Sequence, residues 1–387
     1  MYSEKPLAVY VHWPFCKSKC PYCDFNSHVA TEINYAKWLE SYIRELDYFL
    51  PRLAGRKISS IFFGGGTPSL MPPFIAGKII EKIKTNWSFV PEVEITLEAN
   101  PTSVEAGKMA DFLDAGVNRV SMGIQALNDQ DLKFLGREHS AKEALAALEK
   151  LKKHFSNFSF DLIYARPGQT LESWREELRK ALELAGNHLS LYQLTIEKGT
   201  PFYSAYRDGN FQLPDDETSA DLYKLTQEMC SANGLPAYEI SNHARPGFES
   251  RHNMSYWKYD EYLGVGPGAH SRLAPAAQSR THMMMIHDPA AWLKSVATNG
   301  NGIQQESKLS AQEILEEFVM MGMRLSDGIS RKNFSLIIGQ QPEDIFAKPQ
   351  LDFLLQEGFI TLDNAGIRAT NKGLPVLNSV IARLLTH

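Results

Sequence analysis

Cys16, Cys20 and Cys23 place three thiols within one short loop, directly after an apolar run. A lone Cys-x-x-Cys would suggest zinc or dithiol redox chemistry. The added thiol at a three-residue gap points elsewhere. A [4Fe–4S] cube takes thiolates on its irons, and three of them leave one iron open to a small molecule. The zinc alternative asks for four protein ligands, usually as two separated pairs. The one other cysteine, Cys230, is distant and unpaired in sequence.

The elements that must position this loop follow from periodicity. Leu7–His12, Ile58–Phe63, Val93–Glu98, Asn118–Ile124, Phe158–Ile163 and His188–Leu194 read as buried strands. Helical spacing covers Tyr35–Leu50, where Tyr35, Trp38, Leu39, Tyr42, Ile43 and Leu46 share a side and Pro51 stops the run. Further helices are expected near Pro73–Lys84 and over Leu171–Leu184. Thr102/Glu105 and Ser140/Glu143 form capping-box pairs for two more. Strand–helix alternation predicts an α/β fold with a parallel sheet and right-handed crossovers. Six units fall short of the eight of a closed barrel. A partial, open (β/α)6 barrel is expected, with a doubly wound sheet as the alternative.

Ligands of such folds bind at the C-terminal ends of the strands. That rule selects Gly64-Gly65-Gly66-Thr67 after the second strand, Glu98 at the end of the third, Gln125 after the fourth and Asp161 within the fifth. The glycines allow close approach by a ligand, or merely a tight strand-to-helix turn. Glu98, Gln125 and Asp161 are either ligand contacts or satisfied strand-end groups. Arg137 is a candidate for bidentate carboxylate pairing, or a solvated charge.

After Thr195 the alternation breaks. Thr200–Pro214 reads as a loop, Asp215–Asn233 as a helix, and Ala237–Ser241 and Leu263–Arg272 as short segments. Between the last two lies His252-Asn253-x-x-Tyr256-Trp257. Histidine and tyrosine can ligate haem iron, and aromatics line haem pockets; a core cluster with hydrogen-bonded tips is the other account. Gly264–His270 is a tight glycine loop. Thr281–His287 carries three methionines between two histidines: soft ligands, pliable packing or an exposed loop. Thr298–Gly302 has linker composition. Beyond it, helices from Ser310 to Leu325, Arg331–Ile338 and Pro342–Glu357, strands Phe359–Leu362 and Ile367–Thr370, and a helix over Leu374–Leu385 suggest a small winged-helix-like α+β domain. The expected domains are 1–200, 201–300 and 301–387, the last a lid or docking module.

The 387 residues, 43% hydrophobic and 22% charged, are those of a globular chain with room for several domains. A net charge of −5 disfavours nucleic acid as a partner, even for a winged helix. No stretch approaches the ~20 apolar residues of a membrane helix. Met1–Pro6 lacks a basic region followed by a long apolar run, so no secretory leader is expected. Clustered cysteines without a disulfide framework fit a reducing cytoplasm.

The Cys16/Cys20/Cys23 spacing resembles the signature of the radical S-adenosylmethionine (SAM) superfamily. There the open iron chelates SAM, and an electron from the cluster cleaves the sulfonium to a 5′-deoxyadenosyl radical. Tyr10-Val11-His12-Trp13-Pro14-Phe15-Cys16, Cys20-Pro21-Tyr22-Cys23-Asp24-Phe25-Asn26-Ser27-His28, Glu98-Ala99-Asn100-Pro101, Gly116–Arg119 and Tyr192–Glu197 extend the likeness to the oxygen-independent coproporphyrinogen oxidase superfamily. The His252 motif resembles that of its haem-chaperone branch. The decarboxylating branch has a fourth cysteine two residues after the third, here Phe25, and a long segment ahead of the motif. The resemblance implies a cluster on Cys16, Cys20 and Cys23. It implies a SAM site formed by Tyr10, Tyr22, Gly65, Gly66, Thr67, Glu98, Gln125, Arg137 and Asp161. It implies haem held as cargo by His252, Asn253, Tyr256 and Trp257. The expected partners are haem and haem-accepting, respiratory proteins at the membrane, met from the cytoplasmic side, with room for a homodimer. Radical decarboxylation of coproporphyrinogen III is the alternative activity, and a zinc-stabilised α/β protein the plainest one.

Overall fold

The computed structural model describes residues 5–102, 105 and 107–386. Met1–Glu4, where a leader was considered, and residues 103, 104 and 106 of the segment after Thr102 lie outside the described residues. Six strands run in chain order: β1 (Leu7–Trp13), β2 (Lys57–Gly65), β3 (Ser88–Ala99), β4 (Arg119–Gln125), β5 (Phe158–Tyr164) and β6 (His188–Gln193). Neighbours pair in parallel. Helices α1 (Tyr35–Phe49), α2 (Pro73–Asn86), α3 (Met109–Asp114), α4 (Ala141–His154) and α5 (Leu171–Leu184) make the crossovers, and α6 (Asp216–Ala232) follows β6. This is the partial (β/α)6 barrel.

Alternation along the strands sorts the two faces. Val9, Val11, Ile61, Phe63, Leu97, Val120, Met122, Phe160 and Leu191 are buried in one core with the helices' apolar stripes, such as Ile75, Ile79, Leu148 and Leu178. The opposite face is polar and internally bonded. Ser121 Oγ donates to Asp161 at 3.2 Å, and Ser159 Oγ meets His188 Nδ1 at 2.7 Å. Helix ends obey their caps: Ser140/Glu143 and Ser310/Glu313 are reciprocal capping boxes. Thr102 and Glu105 do bond each other, at 3.0 Å.

The sheet is larger than six strands. It holds eleven, with β7 (Asn242–Ala244) antiparallel beside β6, β8 (Tyr262–Val265) parallel beside β1, and then β9 (His270–Ala276), β10 (Ser279–Met285) and β11 (Ile303–Lys308) antiparallel outward. Two expectations change and one alternative is selected. The methionine run is packing, not a loop: it is strand β10, with Met283 and Met285 in the core. Gly300, at φ +78°, caps a helix rather than opening a linker, and β11 beyond it still belongs to the sheet. Buried Glu45 of α1 fixes that turn by accepting from Gly302 N at 2.7 Å, Gly266 N at 2.8 Å and Trp292 Nε1 at 3.1 Å. Thr200–Pro214 is not all loop: Pro201–Arg207 is helical, capped by Thr200.

After β11 the chain builds a separate core from Phe318, Val319, Phe334, Leu354, Ile367 and Val380. Helix α7 (Arg251–Trp257) lies on the sheet's polar face, and α8 (Ala311–Gly322) begins the C-terminal domain. That domain carries a three-stranded antiparallel sheet, Ile329–Ser330, Gly366–Ala369 and Ile360–Leu362, in that order.

Candidate cofactor cavity

The cysteine loop is stitched to the end of β2. Phe15–Cys16 pairs with His28–Val29. Gly66 N donates to Trp13 O at 2.7 Å and Thr67 N to Phe15 O at 2.8 Å. A Cβ on Gly66 would lie 2.6 Å from Phe15 O, and one on Gly65 2.5 Å from the His12 ring. The glycines thus admit the chain's own segments as well as facing the cavity. On the other side of the loop, a Cβ on Gly136 would meet Pro21 at 2.5 Å, and Phe202 N donates to Pro21 O at 2.9 Å. The short helix at Pro201 therefore braces the loop from below Tyr22, whose ring lies 6.2 Å from that of Phe202.

A cavity of about 720 Å³ opens over the strand ends. Cys16, Cys20 and Cys23 form one wall, half-buried and free of disulfides. Gly65, Gly66, Thr67 and Glu98 line it from β2 and β3; Gln125, Arg137, Asp161 and Tyr22 complete it. Of the SAM-site candidates, Tyr10 alone sits outside this lining. Its hydroxyl donates to His12 Nδ1 at 2.9 Å, while His12 Nε2 donates to Asn26 O at 2.8 Å. Tyr10 thus acts on the cysteine loop through His12, whose pKa burial lowers to about 4 and keeps neutral.

Arg137 is held rather than solvated. Its guanidinium donates to Cys20 Sγ at 3.4 Å, Gly123 O at 2.8 Å and Asn100 Oδ1 at 2.5 Å. Its buried Nε has no partner among the described residues. Asn100 also donates to Thr67 Oγ1 at 3.1 Å, and Thr67 Oγ1 reaches Cys16 Sγ at 3.5 Å. Asn100 thus joins both cysteine contacts and was not singled out from sequence, although its place just past Glu98 at a strand end was a usable signal. Gln125 holds φ +76° beside a register shift in β4. Such a strained non-glycine backbone is common at functional sites.

Two half-buried carboxyls, Glu98 and Asp161, line the same cavity. Burial, with the charge of Asp161 next, raises Glu98 to about 8 against a bond from Gly65 N. Burial raises Asp161 to about 6, offset by the Ser190 and Ser121 hydroxyls. At neutral pH Glu98 is largely a neutral donor and Asp161 largely an anion.

The His252 motif divides in two. His252 is buried; its Nδ1 meets Ser60 Oγ at 3.0 Å and its Nε2 meets Tyr256 Oη at 2.8 Å. Its ring stacks on Phe62 at 4.9 Å and lies 6.3 Å from Tyr10. Asn253 turns toward Tyr238. Trp257 instead lines a second cavity, of about 770 Å³, between α7 and the C-terminal domain. Its buried indole N–H has no partner among the described residues.

Residues 10–181 match the model of the radical SAM superfamily, and residues 309–376 that of the HemN C-terminal domain. The chain is 36% identical to the heme chaperone HemW of Haemophilus influenzae, covering 99% of this chain and 98% of that one. The chain belongs to the radical SAM superfamily, in its HemW family. The Escherichia coli heme chaperone HemW is 34% identical, with 99% of each chain covered. A mitochondrial radical S-adenosyl methionine domain-containing protein 1 of Bos taurus is 38% identical over 98% of this chain and 87% of its own. Coproporphyrinogen III oxidase (HemN) of Escherichia coli shares the fold, at a TM-score of 0.82 and 23% identity, covering 100% of this chain and 91% of that one.

Radical SAM membership implies a [4Fe–4S] cluster and SAM, and the cavity of this chain fits both. Among the described residues no three His, Cys, Asp or Glu side chains converge to hold a single metal ion. Three thiolates on three separate irons of a cube need no such convergence. The orphan Arg137 Nε and the neutral Glu98 are a donor pair suited to a polar ligand beside the thiols. Among the described residues no helix is long and apolar enough to cross a membrane.

Proposed function

We propose that this chain is a haem carrier that delivers haem to haem-requiring proteins, respiratory enzymes at the membrane among them. The observation that carries this is its 34–36% identity, over nearly the whole of each chain, to bacterial proteins named heme chaperones. Phe25 supports it: 59% exposed, it stands where the decarboxylating branch has a fourth cysteine.

In this proposal Cys16, Cys20 and Cys23 hold the cluster, and the cavity residues from Tyr22 to Asp161 hold SAM. When bound, the pair supplies a reducing electron and a 5′-deoxyadenosyl group. The chain's own part is positional and electrostatic. Arg137 offsets negative charge that gathers at Cys20. Glu98 donates a hydrogen bond while neutral, and Asp161 accepts one. Tyr10 and His12 fix Asn26 and with it the loop's exit. His252, Asn253, Tyr256 and Trp257 serve haem. His252 has both nitrogens engaged, so iron ligation exchanges the Tyr256 or Ser60 bond for an iron bond.

The fold shared with HemN favours a second reading, oxidative decarboxylation of coproporphyrinogen III. One experiment separates them. The cluster is reconstituted anaerobically, and the protein is offered haem, or coproporphyrinogen III with SAM and a reductant. A carrier gives a stable Soret band that is lost in His252→Ala, and no vinyl product. Vinyl products, or no haem retention at all, would sink the carrier.

A further inference from the structure

His270 and His282 stand side by side on the adjacent strands β9 and β10, away from both cavities. His282 Nε2 lies 3.3 Å from His270 Nδ1, and the rings are 5.5 Å apart at 18°. The register explains the meeting. His270 pairs with Met284 and Arg272 with His282, so the two imidazoles rise from the same face of the sheet as Tyr262, which pairs with Arg272.

Two nitrogens bound to one tetrahedral ion at ~2.0–2.1 Å each stand about 3.3 Å apart. In the metal-free chain this contact is a hydrogen bond between the two rings; moving its proton to the donor ring's other nitrogen leaves two acceptors at the separation of a chelating pair. The rings are also in the right protonation state. Burial first, then His282 and Arg272, lower His270 to about 4; burial first, then Arg272, lowers His282 as well. Both are neutral near pH 7, as metal ligands must be. The neighbouring cation is already matched: Arg272 donates to Glu317 at 2.7 and 2.9 Å. His270 and His287 are exposed, which gives an ion its entry path, and the His287 ring is 6.4 Å from that of His270 at 79°.

We propose that His270 and His282 chelate a divalent ion of the zinc class, borderline-soft and partial to imidazole. Among the described residues no third ligand converges on the pair. Water fills the remaining positions, or His287 does after a change of rotamer. The chain flanking the pair is tied to the cysteine loop, because Asn26 Nδ2 donates to His287 O and Pro267 O, each at 3.0 Å. An ion here would brace the turn on which that loop rests.

The test is Zn²⁺ titration by calorimetry, under anaerobic conditions, on the chain with its cluster reconstituted so that the cysteines are occupied. One ion per chain is expected. His270→Gln and His282→Gln should each weaken binding at least about tenfold, and His287→Ala by about twofold to fivefold. Gln keeps a polar side chain, and an unchanged melting temperature certifies the fold. A parallel titration of the Cys16→Ser, Cys20→Ser, Cys23→Ser variant should keep the site. Binding that vanishes with the cysteines and ignores the histidines would overturn the proposal. So would the lack of any saturable binding below about 100 µM, where affinity falls below that of ordinary chelating sites.

Discussion

The strand-end cavity and helix α7 occupy the same polar face of one sheet, yet they are finished differently. In the cavity, the thiols are half-buried and outside any disulfide, Arg137 Nε has no partner among the described residues, and Glu98 is held neutral with only a bond from Gly65 N. On α7, His252 and Tyr256 satisfy each other and Ser60. Unspent donors can accept a ligand without losing a bond, whereas a closed pair must first break one. The cavity is therefore preorganised, and the motif is latched. The largest test of that contrast is Cys16→Ala. Iron and sulfide, about four of each per chain after reconstitution, should fall to near zero. Haem binding should survive. Loss of both together would show that the two regions are one site.

How far sequence reached depended on whether the deciding contact was local. The helix Leu171–Leu184 was legible because its amphipathic spacing lies within one segment. The six barrel strands were legible for the same reason, and their ends pointed to Glu98, Gln125 and Asp161. β10 was not: its alternation of buried Met283 and Met285 with His282 and Met284 was masked by methionine's pliability, and its partners lie at His270–Ala276 and Ile303–Lys308. Gly300–Gly302 looked like a linker because the residue that fixes it, Glu45, is remote in sequence. Asn100 was overlooked because its role needs Thr67 and Arg137 to meet, which only the fold arranges. The cluster loop was read from spacing; the sealing of His252 could not be, since Ser60 is on another strand.

A smaller effect sharpens the idea of a latch. Tyr256→Phe removes one hydroxyl and leaves the ring packed 4.9 Å from His252 and 4.6 Å from Tyr262. If His252 is the iron ligand, its Nε2 no longer has to give up a bond worth ~1 kcal/mol. Haem affinity should then rise about fivefold, read by titrating the Soret band. If the Tyr256 oxygen itself binds iron, affinity falls instead and the band shifts. No change in either direction would mean that haem approaches α7 from the Trp257 side.

The smallest expected effect probes the cavity without any cofactor. Glu98 titrates at about 8 in the fold, against 4.5 for the free side chain, because burial disfavours its charge. Between those values the folded chain binds more protons than the unfolded one. Stability from this group is therefore full below about pH 4.5 and declines as pH rises through about 8. Asp161 contributes the same sign over a narrower window, from 3.8 to about 6. Glu98→Gln removes the larger of the two declines while keeping the shape and a donor. The apo variant should gain roughly 2 °C on wild type in melting temperature at pH 8 relative to pH 5. The gain should shrink when a cofactor that pairs with the carboxylate is bound. A variant that tracks wild type at every pH would mean that Glu98 is charged and partnered in the apo chain, which would make that wall as closed as α7.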